Sequence, residues 1–98
     1  MKRELPDHER CERISSLFKT LSHPQRLYML CCLCEGDLTV SDLEKACGAS
    51  QPVISQHLTR MRLEGLVDSR REGNFVYYSL ADNQIPTLIK SLEKVFGP

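Results

Sequence analysis

Between positions 50 and 74 the chain sets out short polar and basic side chains at a spacing that could read a grooved, anionic polymer. On a helix of 3.6 residues per turn, Gln51, Ser55, Thr59 and Arg62 fall on one side, with Pro52 and Gln56 beside them. Ile54, Leu58 and Met61 share another side. The polar side carries hydroxyls, amides and a guanidinium and almost no acid, a set able to hydrogen-bond base edges and to lie close to phosphates. Arg70 and Arg71 follow, just before a Glu72-Gly73-Asn74 turn. The cysteines offer a second chemistry. Cys31 and Cys34 share a helix face at about 5–6 Å between Cβ atoms. Cys32 is rotated away from them by about 100°. With Cys11 from an earlier helix, converging thiolates could hold arsenite or a soft metal, or oxidise. Cys47 reads as core filler. His8, His23 and His57 are scattered and form no ligand cluster.

Bulk properties narrow the field. Ninety-eight residues make one domain, 1–98. Thirteen basic and thirteen acidic side chains cancel, which argues against indiscriminate nucleic-acid binding but not against a specific reader. The N-terminal MKRELPDHER lacks the apolar core of a signal peptide, and no apolar run is long enough to span a bilayer, so a cytoplasmic protein with reduced thiols and no membrane partner is expected. A nucleophilic cysteine needs a base or a cationic neighbour, and the apolar segment around Cys31 has none, so no enzyme and no cofactor is expected.

The elements that must position these groups can be read along the chain. Residues 1–6 are read as a flexible arm. Asp7 caps a helix to about Leu21, with Cys11, Ile14, Leu17, Phe18 and Leu21 on one face. Pro24 opens a second helix over 24–34, largely buried, with Gly36 as its stop. Thr39, with Asp42 as capping partner, opens a third, whose Val40, Leu43, Ala46 and Cys47 point inward. After the Gly48-Ala49 turn, Ser50 caps the fourth, and Gly65 ends it. Residues 39–64 thus predict a helix-turn-helix. The alternating runs 67–71 and 75–80, within a wing over 67–80, predict a β-hairpin. A last helix over 83–96, capped by Asp82 or Asn83, carries Ile85, Leu88, Ile89, Leu92, Val95 and Phe96 in one long stripe that a partner subunit would bury. The predicted fold is mainly α with a small β-hairpin, a winged helix-turn-helix.

The motifs LFKTLSHPQRLYML (17–30), LTVSDLEKACGASQPVISQHLTRMRLEGLV (38–67) and REGNFVYYSLAD (71–82) resemble the ArsR/SmtB family of bacterial winged-helix repressors. The resemblance implies a homodimer joined through its first and last helices, here Ile14, Phe18, Leu88, Ile89, Leu92, Val95 and Phe96, on double-stranded operator DNA. It places Ser50, Gln51, Pro52, Ser55, Gln56, His57 and Thr59 on or beside the groove face, and Arg70, Arg71, Gly73 and Asn74 on the wing. Arg60 or Arg62 would add phosphate contacts. The usual metal sites of the family are absent: Thr39 and Ser41 stand where one site has cysteines, and 82–96 holds no histidine. Cys31 matches the first cysteine of the sulfur- and redox-sensing branch (BigR, SqrR and HlyU type), but Gly97 stands in place of the second.

The expected function is a sequence-specific, homodimeric repressor released by a small inducer, a persulfide or other oxidant, at the Cys31 cluster. An arsenite or soft-metal response through Cys11, Cys31, Cys32 and Cys34, or a winged-helix protein-interaction module without an inducer, stands as the alternative.

Overall fold

Asp7 starts the chain's first helix by accepting the amide of Arg10 at 2.8 Å. In this computed structural model, which describes residues 4–81 and 83–97, that helix is α1 (His8–Leu21), followed by α2 (Pro24–Cys34), β1 (Leu38–Thr39), α3 (Val40–Cys47), α4 (Gln51–Leu63), β2 (Val67–Glu72), β3 (Phe75–Leu80) and α5 (Gln84–Phe96). Residues 1–3 of the expected arm, and Asp82 as the expected cap of the last helix, lie outside the described residues. Asn83 precedes α5 without a side-chain capping bond.

Local chemistry accounts for most boundaries. Pro24 enters α2 where an amide donor is not needed. Thr39 and Asp42 form a reciprocal capping box at α3, at 3.1 and 3.0 Å. Hydrogen bonding to the carboxylate by the Thr39 backbone amide, then by the Thr39 side chain, holds the Asp42 carboxyl below its usual range. Gly48 ends α3 in the left-handed region at φ 63°, a conformation a Cβ disfavours. Ser50 precedes α4 with extended backbone, yet its side chain makes no capping bond, contrary to the sequence expectation.

The sheet differs from a plain hairpin. β1 pairs antiparallel with β3, Leu38 opposite Tyr78 and Thr39 opposite Tyr77, and gives a three-stranded sheet in the order β1-β3-β2. The start of the helix-turn-helix is thereby hydrogen-bonded to the wing. β2 and β3 pair from Val67–Leu80 to Glu72–Phe75 around Gly73-Asn74, with Gly73 at φ 59°. A left-handed glycine at the first turn position suits the twist of a tight hairpin.

One core gathers Met29, Leu30 and Leu33 of α2, Leu43 of α3, Ile54, Leu58 and Met61 of α4, Leu66, Val67, and Ile85 and Ile89 of α5. Ala46, expected to point inward, is exposed. Ile89, assigned to the dimer seam by the sequence pattern, is 1% exposed and belongs to this core, because the half of the α5 stripe nearest α2 is already covered. The α1 helix is held mainly by its end: Thr20 and Leu21 are buried, while Cys11, Ile14 and Phe18 are exposed. The described residues have a radius of gyration of 14.9 Å, against about 13 Å for a compact chain of this length. Among the described residues no helix is long and apolar enough to cross a membrane.

Leu43 is fully buried at the centre of this packing. Leu43→Ala is expected to cost about 2–5 kcal/mol and to lower the urea midpoint of unfolding followed by circular dichroism.

Candidate nucleic-acid interface

The α4 helix is two-sided. Ile54, Leu58 and Met61 are 0%, 2% and 0% exposed, and they fix the helix against the core. Gln51, Pro52, Gln56, Thr59 and Arg62 are exposed on the opposite flank, and Ser55 is half-buried between them. The Gln51 amide donates to Ser55 Oγ at 2.8 Å, and the Thr59 hydroxyl donates to the Ser55 carbonyl at 2.9 Å. These bonds hold the polar side chains in one row along one edge. Arg62 lines a cleft of about 430 Å³ with Thr59, Leu63, Leu58 and Tyr78, between the end of α4 and the wing.

Three assigned positions behave otherwise than the sequence pattern implied. His57 is only 9% exposed, and its Nε2 lies 2.9 Å from Gln25 Oε1, so it sits behind the polar face rather than on it. Arg60 pairs with Glu64 at 3.2 Å, one turn along, and Glu64 also accepts the Thr20 hydroxyl. Arg60 is thus drawn toward the end of α1. Arg70 is paired with Asp37 and with Glu72, the latter at 3.1 Å, and its guanidinium lies 5.2 Å from the Tyr77 ring centre. The hydrogen bonds to Asp37 and Glu72 raise its pKa. Arg71, by contrast, has no ion pair among the described residues, and it stands with Gly73 and Asn74 at the exposed wing tip.

The thiols do not form an activated cluster. Burial, then the hydrogen bond and charge of Glu93, then Cys34 and Cys32, push the Cys31 thiol up to about 11. Burial followed by Glu93 raises Cys34 as well. Cys32 faces the other way, beside Tyr28 and Cys47. Cys11 lies exposed on α1, and Cys34 and Cys32 rather than Cys11 are the thiols that act on Cys31. All five cysteines are free, and among the described residues no group of three or more His, Cys, Asp or Glu could hold a metal ion. Glu93 carried no signal in the sequence beyond its place on the last helix. Its role depends on α5 packing against α2.

Helix, left-handed glycine turn, polar second helix and an adjoining hairpin define a winged helix-turn-helix protein. Residues 23–69 match the model of the bacterial regulatory proteins of the arsR family. The chain is 39% identical over 88 residues to the biofilm growth-associated repressor of Agrobacterium fabrum, across 90% of this chain and 75% of that protein. It superposes on the crystal structure of the transcriptional repressor BigR from Xylella fastidiosa with a TM-score of 0.84 at 37% identity, covering 92% of each chain. The homodimeric winged helix-turn-helix DNA-binding domain Mb0332 of Mycobacterium bovis, solved in solution, superposes with a TM-score of 0.82 at 26% identity over 96% of this chain and 89% of that one. The chain belongs to the arsR family. It is a transcriptional regulator of that family and not an enzyme.

A thiol near 11 holds little thiolate at neutral pH, and the thiolate is the nucleophile. At pH 7.5, mass-resolved iodoacetamide labelling is expected to modify Cys31 far more slowly in the folded protein than in urea-unfolded protein, with the folded-state rate rising steeply toward alkaline pH. Equal folded and unfolded rates at pH 7.5 would contradict the shielding of Cys31 by burial and Glu93.

Proposed function

We propose that this chain acts in the cytoplasm as a homodimer that binds double-stranded operator DNA sequence-specifically and represses transcription. The observation that carries this reading is the two-sided α4: its apolar stripe is sunk in the core, and its exposed edge carries Gln51, Ser55, Gln56 and Thr59 in a row. Amides and hydroxyls of this kind can discriminate base edges in a major groove. Ser50 and Pro52 lie at the start of the same helix, where free amides suit a phosphate. Arg62 beside the wing cleft and Arg71 near Gly73-Asn74 supply positive charge without a protein partner among the described residues. Arg70 and Arg60 serve the interface indirectly, by holding the wing and the end of α4 in place.

The second copy is assigned to the exposed apolar faces of α1 and α5. Ile14 and Phe18 are 44% and 52% exposed, and Val95 and Phe96 are 75% and 81% exposed. Leu88 and Leu92 are half-buried beside them. The homodimeric state of the M. bovis domain supports this reading.

Release by an inducer is assigned to Cys31 and Cys34, which share the side of α2 facing Glu93. Persulfide or another oxidant that takes two electrons and two protons from the two thiols to bridge their sulfurs, or arsenite that binds both sulfurs with release of water, would displace Glu93 and strain α2, on which α3 packs. Cys31→Ser is expected to abolish a response of DNA binding to these reagents. An unchanged response would remove the thiol part of the reading and leave the DNA part standing.

A duplex selected from a random library, titrated by fluorescence anisotropy at several salt concentrations, tests the DNA reading. Gln56→Ala is expected to relax sequence preference at one position, and Arg71→Ala to weaken all duplexes and to flatten the salt slope by about 1. Equal binding of scrambled DNA by the unsubstituted protein would contradict it. Phe18→Asp or Phe96→Asp is expected to yield monomers in sedimentation and to lower DNA affinity by at least about tenfold, since two half-sites no longer bind together. A dimer that survives both substitutions would place the seam elsewhere.

A further inference from the structure

Behind the polar face of α4 lies a small closed set of hydrogen bonds that the exposed residues do not use. His57 Nε2 is 2.9 Å from Gln25 Oε1. An amide oxygen only accepts, so the proton sits on His57 Nε2 and the Nδ1 of the neutral ring keeps its lone pair. The backbone amide of Gln25 in turn donates to His23 Nδ1 at 3.3 Å, which caps α2. The two imidazoles meet edge to face, with ring centres 4.7 Å apart and an interplanar angle of 61°. One residue of α2, Gln25, thus holds both rings, one through its backbone and one through its side chain.

The surroundings oppose a charge at this point. His57 is 9% exposed. His23 faces it from the α2 cap, and Arg26 faces it from the first turn of α2. Arg26 is itself fixed by the Thr20 carbonyl at 3.0 Å, near Arg60 and Glu64.

We propose that His57, held by Gln25, is a positioning residue for DNA recognition: it sets the roll of α4 from the core side without touching DNA. The proposal rests on the DNA reading above. Four residues of α4 project at the groove from a single rigid helix, so a small rotation of that helix displaces all of them together. Apolar side chains permit such rotation more readily than a directed hydrogen bond does, because dispersion contacts have little angular preference.

The neutral ring is the working form. Burial, then His23 and Arg26, depress the His57 pKa below its ordinary value of 6.5. A depressed histidine binds fewer protons folded than unfolded. Its docked arrangement is therefore fully favoured above pH 6.5 and loses ground as the pH falls from there toward the lowered value.

The test is operator affinity between pH 5.5 and 8.0 for the unsubstituted protein and for His57→Gln, His57→Leu, Gln25→Leu, the His57→Leu with Gln25→Leu double variant and His23→Gln, with circular dichroism confirming each fold. Glutamine keeps an N–H donor for Gln25 but does not titrate. His57→Gln is expected to bind within about twofold of the parent at pH 7.5 and to lose the acidic fall in affinity. His57→Leu and Gln25→Leu are each expected to bind about tenfold more weakly, and the double variant no more weakly than either, because one interaction is lost in all three. His23→Gln is expected to keep the acidic fall. A folded His57→Leu that binds as tightly as the parent, or an acidic fall that persists in His57→Gln, would overturn the positioning role. A parent protein that binds no duplex at pH 7.5 would instead refute the regulator reading on which it rests.

Discussion

Ile54, Leu58 and Met61 sink one stripe of α4 into the cluster that also holds Met29, Leu30 and Leu43, and this anchorage decides which side chains can face a partner. Burying three large apolar groups on one short helix contributes several kcal/mol, on the order of 1.5–3 for each. No surface interaction on the same helix is comparable. The polar edge is therefore a consequence of the core: once the stripe is buried, Gln51, Ser55, Gln56 and Thr59 are left on the outer side of the helix. The Gly48 turn supplies the angle between α3 and α4, and the capping box at Thr39 and Asp42 fixes where α3 begins.

Charge enters by placement rather than by amount. With a formal net charge of zero, the molecule has no general attraction for polyanions. Of the four arginines nearest the interface, Arg60 and Arg70 are occupied by acids within the chain. Exposed ion pairs of this kind add little to stability, but they orient what they join. The pair between Arg70 and Asp37 ties the wing to the segment just before β1, next to the pairing of Leu38 with Tyr78. Wing and helix-turn-helix are thus joined by backbone pairing and by this ion pair, and the arginines left over, Arg62 and Arg71, are few. On the proposed reading, a domain with so little free positive charge would depend on base contacts for affinity more than a strongly basic one does.

Much of this was legible in the residues. Helix starts followed from caps and prolines at Asp7, Pro24 and Thr39, which are local signals, and α2 and β3 fall on the predicted bounds. What the sequence did not reveal depended on distant partners. The two-residue strand β1 has no alternation to detect, and it exists only because Tyr77 and Tyr78 lie alongside it. Arg70 and Arg71 are neighbours in the chain, and periodicity could not show that Asp37, thirty-three positions away, reaches Arg70. His57 sits at the border of two helix faces, and the Gln25 amide opposite settles its side. The α5 stripe is wide enough to serve two surfaces, so periodicity alone could not separate Ile89, spent on the core, from Val95 and Phe96, left bare.

The bare faces of α1 and α5 and the polar edge of α4 lie on different elements, so the proposed self-association and DNA binding would not compete for the same side chains. The most direct measurement is backbone amide NMR of the labelled protein during titration with its selected duplex. Shifts concentrated in residues 50–62 and 71–74 are predicted, with the α1 and α5 signals little changed. Shifts confined to α1 and α5, with the α4 signals unmoved, would contradict the claim that this helix edge is the surface that reads DNA.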